Sequence, residues 1–286
     1  MSISAQIIKD PSELKKLALQ LRIDVLKMVM SSHEGHLGAA FSCMEILVAL
    51  YFNILNIKPL RPEWNDRDRF IMSKGHGCFA LYAVLARRGF FSADLLDTVK
   101  QKGTIFGGHP DRDRVIGVDV STGSLGHGLS IGSGMALAAK ADGKNSRVFV
   151  LLGDGECQEG SVWEAAMFAS ASRLDNLIAI VDANCMQATG MTNDIISMEP
   201  FAGKWKSFGW EVFEIDGHNC YDLLNGLSKI PVKTGSPTVF IAQTVKGKGV
   251  SYMENEIMWH ARSVTEKEFH TALFELESSI KLCEAG

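Results

Sequence analysis

The sequence predicts an α/β fold: a mainly parallel central sheet flanked by helices on both faces. Two observations predict it. The apolar run Val148-Phe149-Val150-Leu151-Leu152 leads straight into Gly153-Asp154-Gly155-Glu156, and short apolar runs bounded by turn residues read as buried parallel strands. A second such run, Leu177-Ile178-Ala179-Ile180-Val181, follows an Ala-, Met- and Trp-rich segment, Val162 to Ser172, with the length of a crossover helix. The strands of this strand-turn-helix-strand unit end in Asp154 and Asn184. In a parallel sheet both ends open on one edge, where ligands sit.

The other elements follow in order. Ser12 is the expected N-cap of a helix over residues 12–32, whose stripe is Leu14, Leu17, Leu21, Val25 and Met28. A loop, Glu34-Gly35-His36-Leu37-Gly38, precedes a second helix from Ser42 to Phe52. A polar, two-proline connection over residues 59–68 leads to a short strand at Phe70-Ile71-Met72. Ser73-Lys74-Gly75-His76-Gly77 then turns the chain into a helix from Cys78 to Arg88. The helix from Leu129 to Ala141 is rich in Gly, Ala and Ser, which allows close packing and suggests a buried or interfacial position. Two more strands are expected at Gly209 to Ile215 and Pro237 to Thr244, and a last helix from Thr265 to about Leu282.

Composition sets the class. The 286 residues, 46% hydrophobic and 22% charged, suit a globular chain with a real core, and residues 1–286 read as a single domain. A net charge of −4 without a basic run gives no nucleic-acid surface. No apolar stretch is long enough to span a membrane. The first residues, Met1 to Lys16, are mixed and charged, unlike a signal peptide. Cys43, Cys78, Cys157, Cys185, Cys220 and Cys283 are scattered, as free thiols in a reducing compartment are. The expected location is therefore the cytoplasm.

Asp154 and Asn184 are hard oxygen donors of the kind Mg²⁺ and Ca²⁺ take, and the glycines let backbone approach phosphate oxygens. Neither the Walker loop nor a Gly-x-Gly-x-x-Gly opening a helix is present here. Taken alone, Gly-Asp-Gly reads first as a tight turn and Asn184 as a strand-end turn residue. Three Gly-flanked histidines, His36, His76 and His109, accompany it, and Gly123-Ser124-Leu125-Gly126-His127 forms a further glycine-rich loop. Near the end come Lys246-Gly247-Lys248-Gly249 and Trp259-His260.

In this order and spacing, the pieces from about residue 12 to 270 resemble the amino-terminal half of transketolase, a thiamine-diphosphate enzyme. The resemblance implies that Asp154, Asn184 and the Met186 carbonyl hold Mg²⁺ or Ca²⁺. It implies a cofactor site made of His36, His76, Gly123, Ser124, Leu125, Gly153, Asp154, Gly155, Glu156, Asn184, Lys246 and His260. His36 and His260 would assist proton transfers, His76 and His260 would contact the diphosphate, and His109 would bind donor hydroxyls. Glu159 and Glu164 match acidic residues that link paired active sites. Many family members carry Gln where His127 stands, and Ala183 and Cys185 depart from the usual residues beside the Asn. His33 and His218 read as structural.

The resemblance also implies a partner. In the family a pyrimidine-binding domain follows this one and supplies a glutamate to the cofactor, and no residue here matches it. The expectation is a split enzyme in an α2β2 assembly with a carboxy-terminal transketolase subunit. It would transfer a two-carbon ketol unit from a ketose to an aldose, in the pentose phosphate or a specialised sugar pathway. Three alternatives stay open: half of a deoxyxylulose-phosphate synthase, a 2-oxoacid dehydrogenase component, or a non-catalytic structural subunit.

Overall fold

The computed structural model describes residues 7–99 and 101–285. Its sheet contains β1 (Arg69–Met72), β2 (Val148–Gly153), β3 (Leu177–Ala183), β4 (Glu211–Asp216) and β5 (Thr238–Gln243) in the order β1-β2-β3-β5-β4. All four neighbouring pairs are parallel, as the long crossovers between them require. Side chains alternate between two buried layers. Phe149, Leu151, Ile178, Ile180 and Phe240 join one core. Val150, Leu152, Ala179, Val181 and Ile241 join the other. A strand buried on both faces has no polar alternation, which is why these runs are uniformly apolar.

The first core is covered by α1 (Pro11–Ser32), α2 (Leu37–Ser42), α3 (Met44–Ala49), α4 (Cys78–Arg88), and, later in the chain, α9 (Cys220–Leu227) and α10 (Glu266–Ala285). The second is covered by α5 (His127–Ala141), α6 (Gly160–Ala171) and α8 (Phe201–Ser207), with the single turn α7 (Thr192–Ile195) before α8. Helix α5 lies directly on β1 and β2. A Cβ on Gly132 would stand 2.6 Å from Val150 Cγ2, and one on Gly128 would stand 2.3 Å from Ser73 Oγ. The small residues of this helix thus serve close approach. Its outer side, with that of α6, exposes Ile131, Leu137, Met167 and Phe168.

Several boundaries differ from expectation. The cap of α1 is Asp10, whose Oδ1 accepts the Ser12 N–H at 2.8 Å, with Pro11 at the first helical position. The expected helix over residues 42–52 is broken at Cys43 and ends in a wide turn over Leu50–Ile54. Two side-chain bonds stand at the break: the Ser42 hydroxyl donates to the distant Asp182 carboxylate, and the Cys43 thiol bonds back to Ala39 O. Helix α9 is not evident from the sequence pattern; it is eight residues long, and Asn219 caps it by accepting the N–H groups of Tyr221 and Asp222.

Candidate active site

Asp154 and Asn184 each stand one residue beyond a strand, β2 and β3. These strands pair in register up to Gly153 and Asp182, so both residues stand at one sheet edge, and both line the same cavity. Asp154 Oδ1 accepts the Gly155 N–H at 2.8 Å and Oδ2 accepts that of Cys185 at 2.7 Å. Asn184 Oδ1 accepts the Met186 N–H at 3.1 Å. Burial, and then the negative charge of Asp182, push the Asp154 carboxyl up to about 6. A half-buried carboxylate that feels the charge of another is a demand for positive charge.

Across the edge the imbalance reverses. The rings of His36, His76 and His260 form a triangle with centroids 5.4, 5.5 and 5.3 Å apart. His109 stands at its mouth, exposed, 6.4 Å from His36. Lys246, nearly fully buried, sits 2.9 Å from His260 Nδ1. Since an ammonium only donates, that ring nitrogen accepts, and the imidazole proton is assigned to Nε2. Burial, and then Lys74 and the neighbouring rings, hold His76 well below the usual imidazole range. Burial and then Lys246 bring His260 down to about 4, and burial and then Lys74 bring Lys246 down to about 8. These groups disfavour one another's charge, and an anion placed among them would relieve all three.

Both imbalances border one cavity of about 310 Å³, lined by His76, Gly123, Leu125, Gly153, Asp154, Gly155, Glu156, Asn184, Met186, Lys246 and His260. Gln187 also lines it, and its Oε1 is buried without a hydrogen-bond partner among the described residues. A Cβ on Gly155 would stand 3.0 Å from that residue's Cβ, so glycine keeps this wall open. A divalent cation bound to a polyphosphate fits these residues: the metal answers Asp154, and the phosphates answer His76, His260 and Lys246. Among the described residues no cluster of three His, Cys, Asp or Glu side chains could hold a metal alone. The oxygen set fits, because it relies on one carboxylate, one amide, one main-chain carbonyl and the ligand's own oxygens.

Other expected residues take different places. Glu156 does line the cavity, but its carboxylate is committed to the protein. It accepts the Ser73 hydroxyl, the Gly126 N–H at 2.9 Å and the Gly153 N–H at 3.0 Å. Its side chain thus ties three loops together, and only its backbone is left for a ligand. Ser124 and His127 are exposed, and neither lines the cavity. Glu159 is exposed at the rim and Glu164 on α6. Lys248 pairs with Glu254 at 3.3 Å on the surface, while its near neighbour Lys246 is buried.

Sequence pattern alone does not single out Lys74 and Asp182, a buried ion pair beneath the site. Burial works against both charges, but their mutual attraction wins: Lys74 is raised and Asp182 lowered from their ordinary values. A signal existed, since Asp182 interrupts an apolar strand and a charge there needs a partner.

An oxygen-donor edge facing an imidazole cluster, at the strand ends of a parallel sheet, marks a class of α/β protein whose site suits a phosphate-bearing ligand. Comparison with known proteins narrows the class. The family described as "Transketolase, thiamine diphosphate binding domain" matches residues 14–276. The 6-deoxy-6-sulfo-D-fructose transketolase subunit of Clostridium sp. MSTE9 is 45% identical over 243 residues, 85% of this chain and 88% of that protein. An apulose-4-phosphate transketolase subunit of Phocaeicola vulgatus is 42% identical over 260 residues, 91% of this chain and 92% of that one. Among solved structures, transketolase from Campylobacter jejuni superposes with a TM-score of 0.86 at 30% identity, covering 92% of this chain and 42% of that one. The chain therefore belongs to the transketolase amino-terminal, thiamine-diphosphate-binding family. It spans less than half the length of the solved transketolases it matches. Among the described residues no helix is long and apolar enough to cross a membrane.

Proposed function

We propose that residues 1–286 act as one diphosphate-binding domain, the amino-terminal subunit of a two-chain transketolase. The observation that carries this is the split electrostatics of the cavity, a carboxylate at Asp154 raised by its surroundings facing His76, His260 and Lys246, all lowered by theirs. Thiamine diphosphate held through Mg²⁺ or Ca²⁺ neutralises both sides at once.

In this reading Asp154, Asn184 and the Met186 carbonyl hold the metal. The Gly155 backbone, His76, His260 and Lys246 receive the diphosphate, with Gly123 and Leu125 along the cofactor's middle. When bound, thiamine diphosphate supplies a carbon nucleophile and an electron sink. His36 and His260 handle protons at the reacting carbons; His260 offers the proton on Nε2, because Lys246 occupies Nδ1. His109, exposed at the mouth, binds hydroxyls of a ketose donor. The reaction is transfer of a two-carbon ketol unit to an aldose.

Two observations support a partner chain. The relatives named as transketolase subunits match over about nine-tenths of both lengths. The apolar residues Ile131, Leu137, Met167 and Phe168 are exposed on adjoining helices, as at a subunit contact. The partner would carry the pyrimidine-binding domain, in an α2β2 assembly. A ketol-transfer assay with thiamine diphosphate and Mg²⁺, on this chain alone and with candidate carboxy-terminal subunits, tests the proposal. The expected result is silence alone and turnover with one partner. Turnover by the chain alone overturns the two-chain reading, and failure of every mixture to bind the cofactor overturns the site.

A further inference from the structure

His218 lies outside the cavity, yet its two ring nitrogens connect a buried ion pair to the loop that carries Lys246. Nε2 accepts the Val245 N–H at 2.8 Å, and Nδ1 is 2.9 Å from Glu45 Oε2. The first contact fixes the second: an Nε2 that accepts leaves the ring proton on Nδ1, which then donates to Glu45. Glu45 is held in turn by the Arg22 guanidinium, at 2.6 and 2.7 Å. Arg22 is 1% and Glu45 4% exposed, so this carboxylate has no freedom to turn away.

The loop after β5 is pinned residue by residue. The Thr244 hydroxyl bonds Asp182, Val245 N–H bonds His218, Lys246 Nζ bonds His260, and Gly247 N–H bonds Gly38 O at 3.1 Å. Of these four anchors, the one on Val245 leads back to α1 and α3, through Glu45 and Arg22, rather than to the site itself. We propose that His218 is a positioning residue: Glu45 fixes its tautomer, and its Nε2 clamps Val245 so that Lys246 is presented to His260 and the bound diphosphate. The chemistry it serves is anion binding by Lys246, and in that respect the inference rests on the function proposed above.

Three substitutions separate this role from simple filling of a buried space. Gln places an oxygen near the position of Nε2 and keeps the bond to Val245. Asn places its amide near Nδ1 and keeps only the contact with Glu45. Leu keeps neither. Two measurements are made on each. Amide hydrogen exchange of the full chain without cofactor reads protection at residues 245–247. Calorimetry of the chain reconstituted with its partner reads thiamine diphosphate affinity in excess Mg²⁺.

The expected result is loss of protection at residues 245–247 in His218→Asn and His218→Leu, with affinity reduced about tenfold, and near-native values for both in His218→Gln. His218→Asn keeping native protection and affinity overturns the proposal. So does His218→Gln failing as badly as His218→Leu, or a fall in affinity with no change in exchange at the loop. If the wild-type protein binds no thiamine diphosphate, the function proposed above fails. The clamp on Val245 is then still decided by the exchange measurement.

Discussion

Lys74 and Asp182 form a buried ion pair, and Asn184 leans on the same carboxylate, its Nδ2 donating to Asp182 Oδ2 at 3.2 Å. Ser42 donates to that oxygen too, at 2.6 Å, and the Lys74 ammonium also reaches Ala39 O at 3.0 Å. The pair therefore sets which way the Asn184 amide faces. Its Nδ2 turns inward, and its Oδ1 is left at the sheet edge.

Lys74→Met should be costly. It leaves the Asp182 carboxylate buried without its counter-ion, a change worth about 3–5 kcal/mol in other proteins. Denaturant unfolding should show a loss of that order. Adding Asp182→Asn should recover part of it, because the unpaired charge is then gone. A double variant no better than Lys74→Met would refute the coupling.

Asp154→Ala should separate binding from stability. The carboxylate is already opposed by burial and by Asp182, so its removal should leave the melting temperature of the cofactor-free chain unchanged or higher. Metal-dependent cofactor binding in the reconstituted enzyme should fall by more than the roughly 10–100-fold that loss of an outer-sphere partner costs. Unchanged affinities for thiamine diphosphate and Mg²⁺ by calorimetry would remove Asp154 from the metal site.

His260→Ala should lower ketol-transfer turnover about 10²–10⁴-fold, the usual range for a positioned proton-transfer group, and His76→Ala should lower turnover by weakening the hold on the diphosphate. Gly160→Ala adds a methyl that meets open space and should leave turnover unchanged. Native rates in either histidine variant would strike that ring from the machinery.

Glu156→Gln changes one atom of a carboxylate that accepts three hydrogen bonds. The amide retains one acceptor and turns an N–H₂ toward a main-chain N–H, at a cost of about 1–3 kcal/mol. The loops of Ser73, Gly126 and Gly153 lose their common anchor, so cofactor affinity should fall along with stability. A variant as stable and as tight-binding as wild type would contradict the anchoring role.

Glu45 predicts an acid-sensitive contribution. Burial opposes its ionisation, but Arg22 and His218 override this and hold the carboxyl at about 2. Its unfolded value is near 4.5, so the group binds fewer protons folded than unfolded. The stability it contributes is present above pH 4.5 and is lost as pH falls through about 2. The expected size is on the order of 3 kcal/mol, read as the slope of unfolding free energy against pH in that window. A slope unaltered in Glu45→Gln would show that other groups dominate there.

Much of this was legible in the sequence. The strands announced themselves because both of their faces are buried, and the site histidines because glycines flank three of them. Asp154 and Asn184 were legible because each ends an apolar run. What the sequence hid was long-range pairing. Glu156 stands 83 residues from Ser73, and Lys74 stands 108 from Asp182. Local pattern can show that a charge such as Asp182 in an apolar strand needs a partner, but not which residue supplies it. The same holds for His218, which looked structural because its partners, Glu45 and Val245, lie on other elements. The α2–α3 break was hidden for a related reason, since it depends on Ser42 reaching a carboxylate 140 residues away.

The in-register pairing of β2 with β3 has a consequence for redesign. It makes the sheet a gauge: the gap between Asp154 and Asn184 is set by inter-strand spacing, about 4.8 Å, and a fixed one-residue offset. The turn before β3 helps hold the register, since Leu174 is fully buried and the Asn176 amide donates to Ala136 O at 3.0 Å. Inserting one residue within Val148–Gly153 or Leu177–Ala183 throws a ligand to the opposite face. The two strands are therefore the part of the blueprint that must be copied without a change in length.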